Sequence, residues 1–131
     1  MRMLVCATMF LGFVGSSLAA DGDIPLPASA KKLTAAEFMK LEGGKTFNYT
    51  SYGHDPAWQG ETSFDWKKYK FWGTYPDKGK STKYGPEPLS INGDTYCYHK
   101  GPGPCLSAYA DDTKIYEVNV DGKVHAVLTP K

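Results

Sequence analysis

At Gly43-Gly44 the sequence changes its period, and that change constrains the fold more than anything else in the chain. Before it, Leu33, Phe38 and Leu41 fall at helical spacing. Thr34-Ala35-Ala36-Glu37 has the form of a capping box, with a hydroxyl for an early amide and a carboxylate that reaches back. The two glycines then stop the helix, which predicts about two turns over residues 34–42. After them Tyr, Thr, Phe, Trp and Val become frequent, punctuated by Gly, Pro, Asn and Asp, which is the composition of an antiparallel β domain.

The predicted strands are Thr46–Tyr52, Glu61–Asp65, Lys68–Tyr75, Leu89–Asn92, Thr95–His99, Cys105–Tyr109, Lys114–Val120 and Lys123–Thr129. Residues 53–60 and 76–88 read as looser connections, the second a mobile one rich in Lys, Gly, Ser and Pro. The expected fold is mainly β: a small antiparallel barrel or curved sheet with one short N-terminal helix. No internal repeat is evident.

The last hairpin can be read in detail. Asp121-Gly122 marks its turn. A two-residue turn would put Val118 on the same face as His125. A three-residue loop, Val120-Asp121-Gly122 with Gly122 left-handed, places Tyr116, Val118, Val124, Ala126 and Leu128 on one face. Glu117, Asn119, Lys123 and His125 then fall on the other, with Glu117 and His125 as an exposed cross-strand pair. The apolar pattern favours the three-residue loop.

The first 20 residues set the compartment. Met1-Arg2-Met3 is a short basic start, Leu4 to Val14 is apolar, and Gly15 to Ala20 is small and ends in an Ala-type cleavage site. That layout predicts a signal peptide over residues 1–20, since the apolar run is shorter than a membrane span. Removing it from the 131-residue chain leaves about 111 residues, one small domain. Residues 21–32, with Ile24-Pro25-Leu26-Pro27, read as a flexible lead-in, and residues 33–131 as a single β-rich domain.

Cys6 lies in the leader, so the mature chain keeps Cys97 and Cys105. In an exported protein an even pair reads as a disulfide. Its nine-residue ring contributes about 2.5 kcal/mol through chain entropy. The turn His99-Lys100-Gly101-Pro102-Gly103-Pro104 is poor in ladder donors, and the bond would close its neck. The spacing differs from the two-residue spacing of redox-active pairs.

Arg2 is the only arginine among 15 basic residues, so the mature chain has 14 lysines against 14 acids. That balance argues against a nucleic-acid footprint, and the missing guanidinium against a bidentate anion fork. His54, His99 and His125 lack the spacing of a metal site, and neither a Gly-x-Ser-x-Gly elbow nor a phosphate loop occurs. No catalytic residue, cofactor or metal is therefore assigned. Asp111-Asp112 reads as a turn. Asn48-Tyr49-Thr50 matches a glycosylation acceptor, which matters only in a host that glycosylates exported proteins.

Aromatic density carries what functional content there is. Phe47, Tyr49, Tyr52, Trp58, Phe64 and Phe71 crowd the first half of the β region, mostly as core. Trp66, Tyr69, Trp72 and Tyr75 are the candidate ligand-binding residues, lining a pocket or forming an exposed platform. The favoured function is an exported, non-enzymatic binding module for a small ligand, a glycan or an envelope partner protein. The rivals are a small exported hydrolase using His54 and Asp55, and a protein inhibitor of an envelope enzyme.

The run Leu89-Ser90-Ile91-Asn92-Gly93-Asp94-Thr95-Tyr96-Cys97-Tyr98, then Cys105-Leu106, Ile115-Tyr116-Glu117-Val118 and Asp121-Gly122-Lys123, resembles a family of small exported proteins. They come from rhizobial and related alphaproteobacteria and form a domain of unknown function. The capped helix followed by Gly44-Lys45-Thr46, the Trp72-Gly73-Thr74-Tyr75 strand and the two hairpin cysteines share in the resemblance, which covers residues 33–129. It implies a periplasmic or secreted β-rich domain and carries over no catalytic residue.

Overall fold

The computed structural model describes residues 24–98 and 105–131. The leader read from residues 1–20 and the turn at 99–104, His99 included, lie outside the described residues. Among the described residues no helix is long and apolar enough to cross a membrane.

The elements in chain order are β1 (Lys31–Lys32), α1 (Ala35–Glu42), β2 (Thr46–Ser51), β3 (Trp58–Asp65), β4 (Lys70–Asp77), β5 (Lys80–Asn92), β6 (Thr95–Tyr98), β7 (Cys105–Asp111), β8 (Lys114–Val118) and β9 (Val124–Pro130). From β2 to β9 each strand pairs antiparallel with the next, and β9 pairs back onto β2, Tyr49 opposite Leu128. The chain is thus an eight-stranded up-and-down antiparallel barrel, closed on itself, with one short helix. Closure removes the exposed edges that an open sheet would present. The two-residue β1 adds alongside β7.

The helix forms where its capping box predicts. Thr34 Oγ1 accepts the Glu37 amide at 3.3 Å, and Glu37 Oε1 accepts the Thr34 amide at 2.8 Å. The helix lies across one end of the barrel. Phe38 is fully buried, 4.8 Å from the Tyr96 ring and 5.5 Å from Trp66. Leu41, assigned by spacing to the apolar face, is exposed, while Glu42 is buried. The helix meets the barrel through its Phe38–Glu42 edge, so an acid takes the inward place.

Residues 76–88 differ from their expected irregularity. They complete β4 and begin β5, joined at Lys78-Gly79, both left-handed (φ 51° and 79°). Two left-handed residues make the tight primed turn that matches strand twist. The Lys/Gly/Ser/Pro composition concealed a strand because the segment faces solvent on one side. Gly85 (φ +84°) lies where the β4–β5 register shifts; a Cβ there would fall 2.9 Å from the Trp72 backbone. Gly73 has the same tightness, since its Cβ would meet the Glu61 carbonyl oxygen at 2.0 Å.

The lead-in is not free of the barrel. Ile24 and Leu26 pack over Tyr116, Val118 and Val124 on its outer face. That cover gives the outer face of β8, Tyr116 and Val118, an apolar environment.

Candidate functional site

The helix closes one end of the barrel; the other end opens into a cavity of about 440 Å³. Its wall uses inward positions of most strands: Tyr49 from β2, Trp58 from β3, Phe71 and Tyr75 from β4, Tyr84 from β5 and Tyr98 from β6. Period-2 alternation puts these rings on one face, and barrel closure brings that face around a single space. Glu117 from β8 and His125 from β9 complete the polar part of the lining.

Glu117 and His125 reach the interior through a register device. The hairpin turn is the expected three-residue loop: the Asn119 amide donates to Lys123 carbonyl at 2.8 Å, and Gly122 has φ +88°. Val118 stands opposite Val124, as that loop requires. The next pair is Glu117 with Ala126, so His125 is the extra residue of a bulge. From there the faces part. Tyr116, Val118 and Val124 stay outside beneath Ile24 and Leu26, whereas Ile115, Ala126 and Leu128 turn inward with Glu117. The expectation of one apolar face and an exposed Glu117–His125 pair is therefore corrected: Glu117 is 2% exposed and both residues line the cavity.

The floor of the cavity is a buried acid network. Glu117 Oε2 accepts the Tyr96 hydroxyl at 2.5 Å and also the Tyr98 hydroxyl. Tyr96 Oη lies 2.9 Å from Glu42 Oε2, and the Trp66 indole donates to Glu42 Oε1 at 3.1 Å. Burial pushes the Glu42 carboxyl well above its ordinary range, and the charge of Glu117 pushes the same way. Burial also raises Glu117, but His125 and the two tyrosine hydroxyls oppose it. The hydroxyls of Tyr96 and Tyr98 are held well above their usual range by burial and then by Glu117. A tyrosine has one hydroxyl proton. With two carboxyl oxygens beside Tyr96, one hydroxyl proton cannot serve both, and the arrangement closes when Glu42, the more strongly raised of the two, holds a proton and donates to Tyr96 Oη.

The mouth carries an aromatic stack. His54 lies flat on Trp58, centroids 3.5 Å apart at 4°, and Trp58 stacks on Tyr75 at 5.3 Å. Burial lowers the His54 pKa from its ordinary value, and His125 adds to this. Among the described residues no hydrogen bond joins His54 to the exposed Asp55. Deeper in, the Tyr49 hydroxyl donates to the Thr74 carbonyl at 2.7 Å, and burial, then Tyr84, pushes its pKa up to about 12.

The four aromatic candidates separate. Tyr75 lines the cavity. Trp66 is buried at the helix end, stacked on Phe64 at 6.3 Å and bonded to Glu42. Tyr69 and Trp72 are exposed on the outside, at 44% and 39%. Cys97 and Cys105 are disulfide-bonded, directly opposite each other on β6 and β7 at the mouth end. Asp111-Asp112 enters the β7–β8 turn, with Asp112 left-handed at φ 57°.

Sequence reading missed Tyr49, Trp58, Tyr84 and Tyr98 as cavity residues because strand parity alone does not say which face closes inward. It missed Glu42 and Glu117 because acids are rarely buried unless paired. One sign was legible: Glu117 is the lone acid in the otherwise apolar strand Ile115-Tyr116-Glu117-Val118. Comparison with protein-family models, with curated proteins and with solved structures gives no match.

Proposed function

We propose that this chain is an exported binding module that holds a small, largely apolar molecule inside its barrel. The observation that carries the reading is the cavity of about 440 Å³, walled by aromatic rings and plugged at one end by α1. Its size falls in the range of small-molecule pockets, and a few convergent polar groups on apolar walls are what fixes a ligand's orientation. Eight-stranded barrels have the girth to hold one small ligand. The disulfide is compatible with an oxidising compartment, so export belongs to the same proposal, as does membership of the exported family that the sequence resembles.

The test is a fluorescence titration with N-phenyl-1-naphthylamine, an uncharged apolar dye that brightens in dry pockets. The wild type should bind one equivalent saturably. Trp58→Ala and Tyr75→Ala should each weaken binding at least about fivefold with their melting curves still cooperative. A dye signal that does not saturate, or that neither variant changes, would overturn the reading.

A further inference from the structure

We infer that the ligand is an organic cation: an ammonium group on an apolar body, its N–H donors meeting Oε1 of Glu117. This rests on the binding reading above and names the chemical class of its occupant.

Three observations converge. Glu117 lines the cavity yet is 2% exposed, so water does little to solvate its charge. Both tyrosine donors, Tyr96 and Tyr98, go to its Oε2, and among the described residues Oε1 accepts no hydrogen bond. A buried carboxylate with one oxygen unmatched is costly, and an N–H donor from a ligand removes that cost.

The second observation is the aromatic wall next to this carboxyl. Glu117 stands beside Tyr98, whose ring is 4.6 Å from Phe71, which in turn lies 5.7 Å from Tyr84. Ring faces attract a desolvated cation, and a carboxylate within an aromatic wall recognises an ammonium group by charge and by quadrupole together. The third is the sign of the lining. Among the described residues that line the cavity there is neither lysine nor arginine to oppose the charge of Glu117.

The Glu42–Tyr96–Glu117 chain gives this site its polarity. Oε2 is anchored by the Tyr96 and Tyr98 hydroxyls, which leaves Oε1 as the atom available to a ligand. An anionic ligand would meet Glu117 where the carboxyl is shielded from water, and there like charges repel more strongly than in bulk solvent.

The experiment is calorimetric titration of the intact oxidised protein with three indoles of nearly equal size: tryptamine, tryptophol and indole-3-acetate. It is run at about pH 8, above the ordinary imidazole range. Tryptamine should bind about tenfold tighter than tryptophol, and indole-3-acetate weakest. Glu117→Gln should bring tryptamine down to the tryptophol level and leave tryptophol unchanged. The wild-type charge series decides the question even where the variant fails to fold. Equal binding of the three, or tightest binding of the acetate, would overturn the cation and leave the cavity-binding reading standing. Absence of binding by all three at millimolar concentration would overturn both.

Discussion

The Tyr96 hydroxyl stands between two buried carboxyls, 2.9 Å from Glu42 Oε2 and 2.5 Å from Glu117 Oε2. It joins the helix that plugs the barrel to the strand that supplies the cavity's acid. Three elements distant in sequence are locked through one oxygen, so the network ties folding to the site. Tyr96→Phe keeps the ring and removes the link. It should cost about 3 kcal/mol, because both carboxyls lose a partner while staying buried. Urea unfolding at neutral pH measures this, and a loss below about 0.5 kcal/mol would show that the hydroxyl is not shared.

The pH dependence follows from the same pair. The folded state raises the Glu42 carboxyl, chiefly by burial, so it holds a proton that the unfolded chain releases in the ordinary carboxylate range. Stability from this group is complete below that range and is lost as pH rises toward the raised folded value. The slope while it titrates is about 1.4 kcal/mol per pH unit. Glu42→Gln keeps an acceptor for the Trp66 indole and a donor for Tyr96 without a titrating proton. Its unfolding free energy should fall less than the wild type's between pH 5 and pH 8, as followed by denaturant titration at each pH. Parallel wild-type and variant profiles would count against a protonated Glu42.

Phe38 closes the barrel's end against Tyr96 and Trp66. Phe38→Ala should destabilise by about 3–5 kcal/mol, the transfer cost plus the cavity left under the floor. Thr34→Ala loses the capping box and should cost about 1 kcal/mol. Leu41→Ala, on the exposed side of the same helix, should stay within about 0.5 kcal/mol. Thermal denaturation of the three variants should rank them in that order.

The exposed and enclosed aromatics should part company in a binding assay. Trp72→Ala and Tyr69→Ala remove rings from the outer surface and should leave dye binding within about twofold of wild type. Trp66→Ala strips a donor from Glu42 and packing from Phe64, so its effect should be a loss of stability of about 3–5 kcal/mol. Tyr75→Ala should weaken binding with little change in melting. A Trp72→Ala variant that abolished binding would move the site to the outside of the barrel.

Reduction of Cys97–Cys105 should cost about 2.5 kcal/mol and leave the barrel folded, since the two residues are paired through their strands as well. Denaturant unfolding with and without reductant tests this. Complete unfolding on reduction at room temperature would mean that the staple contributes more than its ring entropy.

Local structure was legible wherever neighbours in sequence decide it. Thr34 and Glu37 announce the helix start because the box closes within one turn. Asn119 to Lys123 announce their loop because only a left-handed Gly122 suits it. Cys97 and Cys105 pair because alternation and the intervening turn bring them face to face. Of the four aromatic candidates, Tyr75 lines the cavity, while Tyr69 and Trp72 are exposed outside it and Trp66 is buried. Trp66, Tyr69 and Trp72 sit beside it in sequence but lie at the helix end or outside, since a strand turns successive side chains to opposite faces and a hairpin separates its ends.

By itself, then, the sequence determined the capped helix, the β character after Gly44, the last hairpin's loop and the cysteine pair, all set by interactions within a few residues. Tertiary structure decided the rest. Closure of β9 onto β2 chose which face became the interior, and the packing of Ile24 and Leu26 gave Tyr116 and Val118 an apolar home outside. A one-residue bulge at His125 could then turn Glu117 inward, because strand parity propagates from a single extra residue. Charge buried in that way is stable only where Tyr96 and Tyr98, distant in the chain, arrive to meet it.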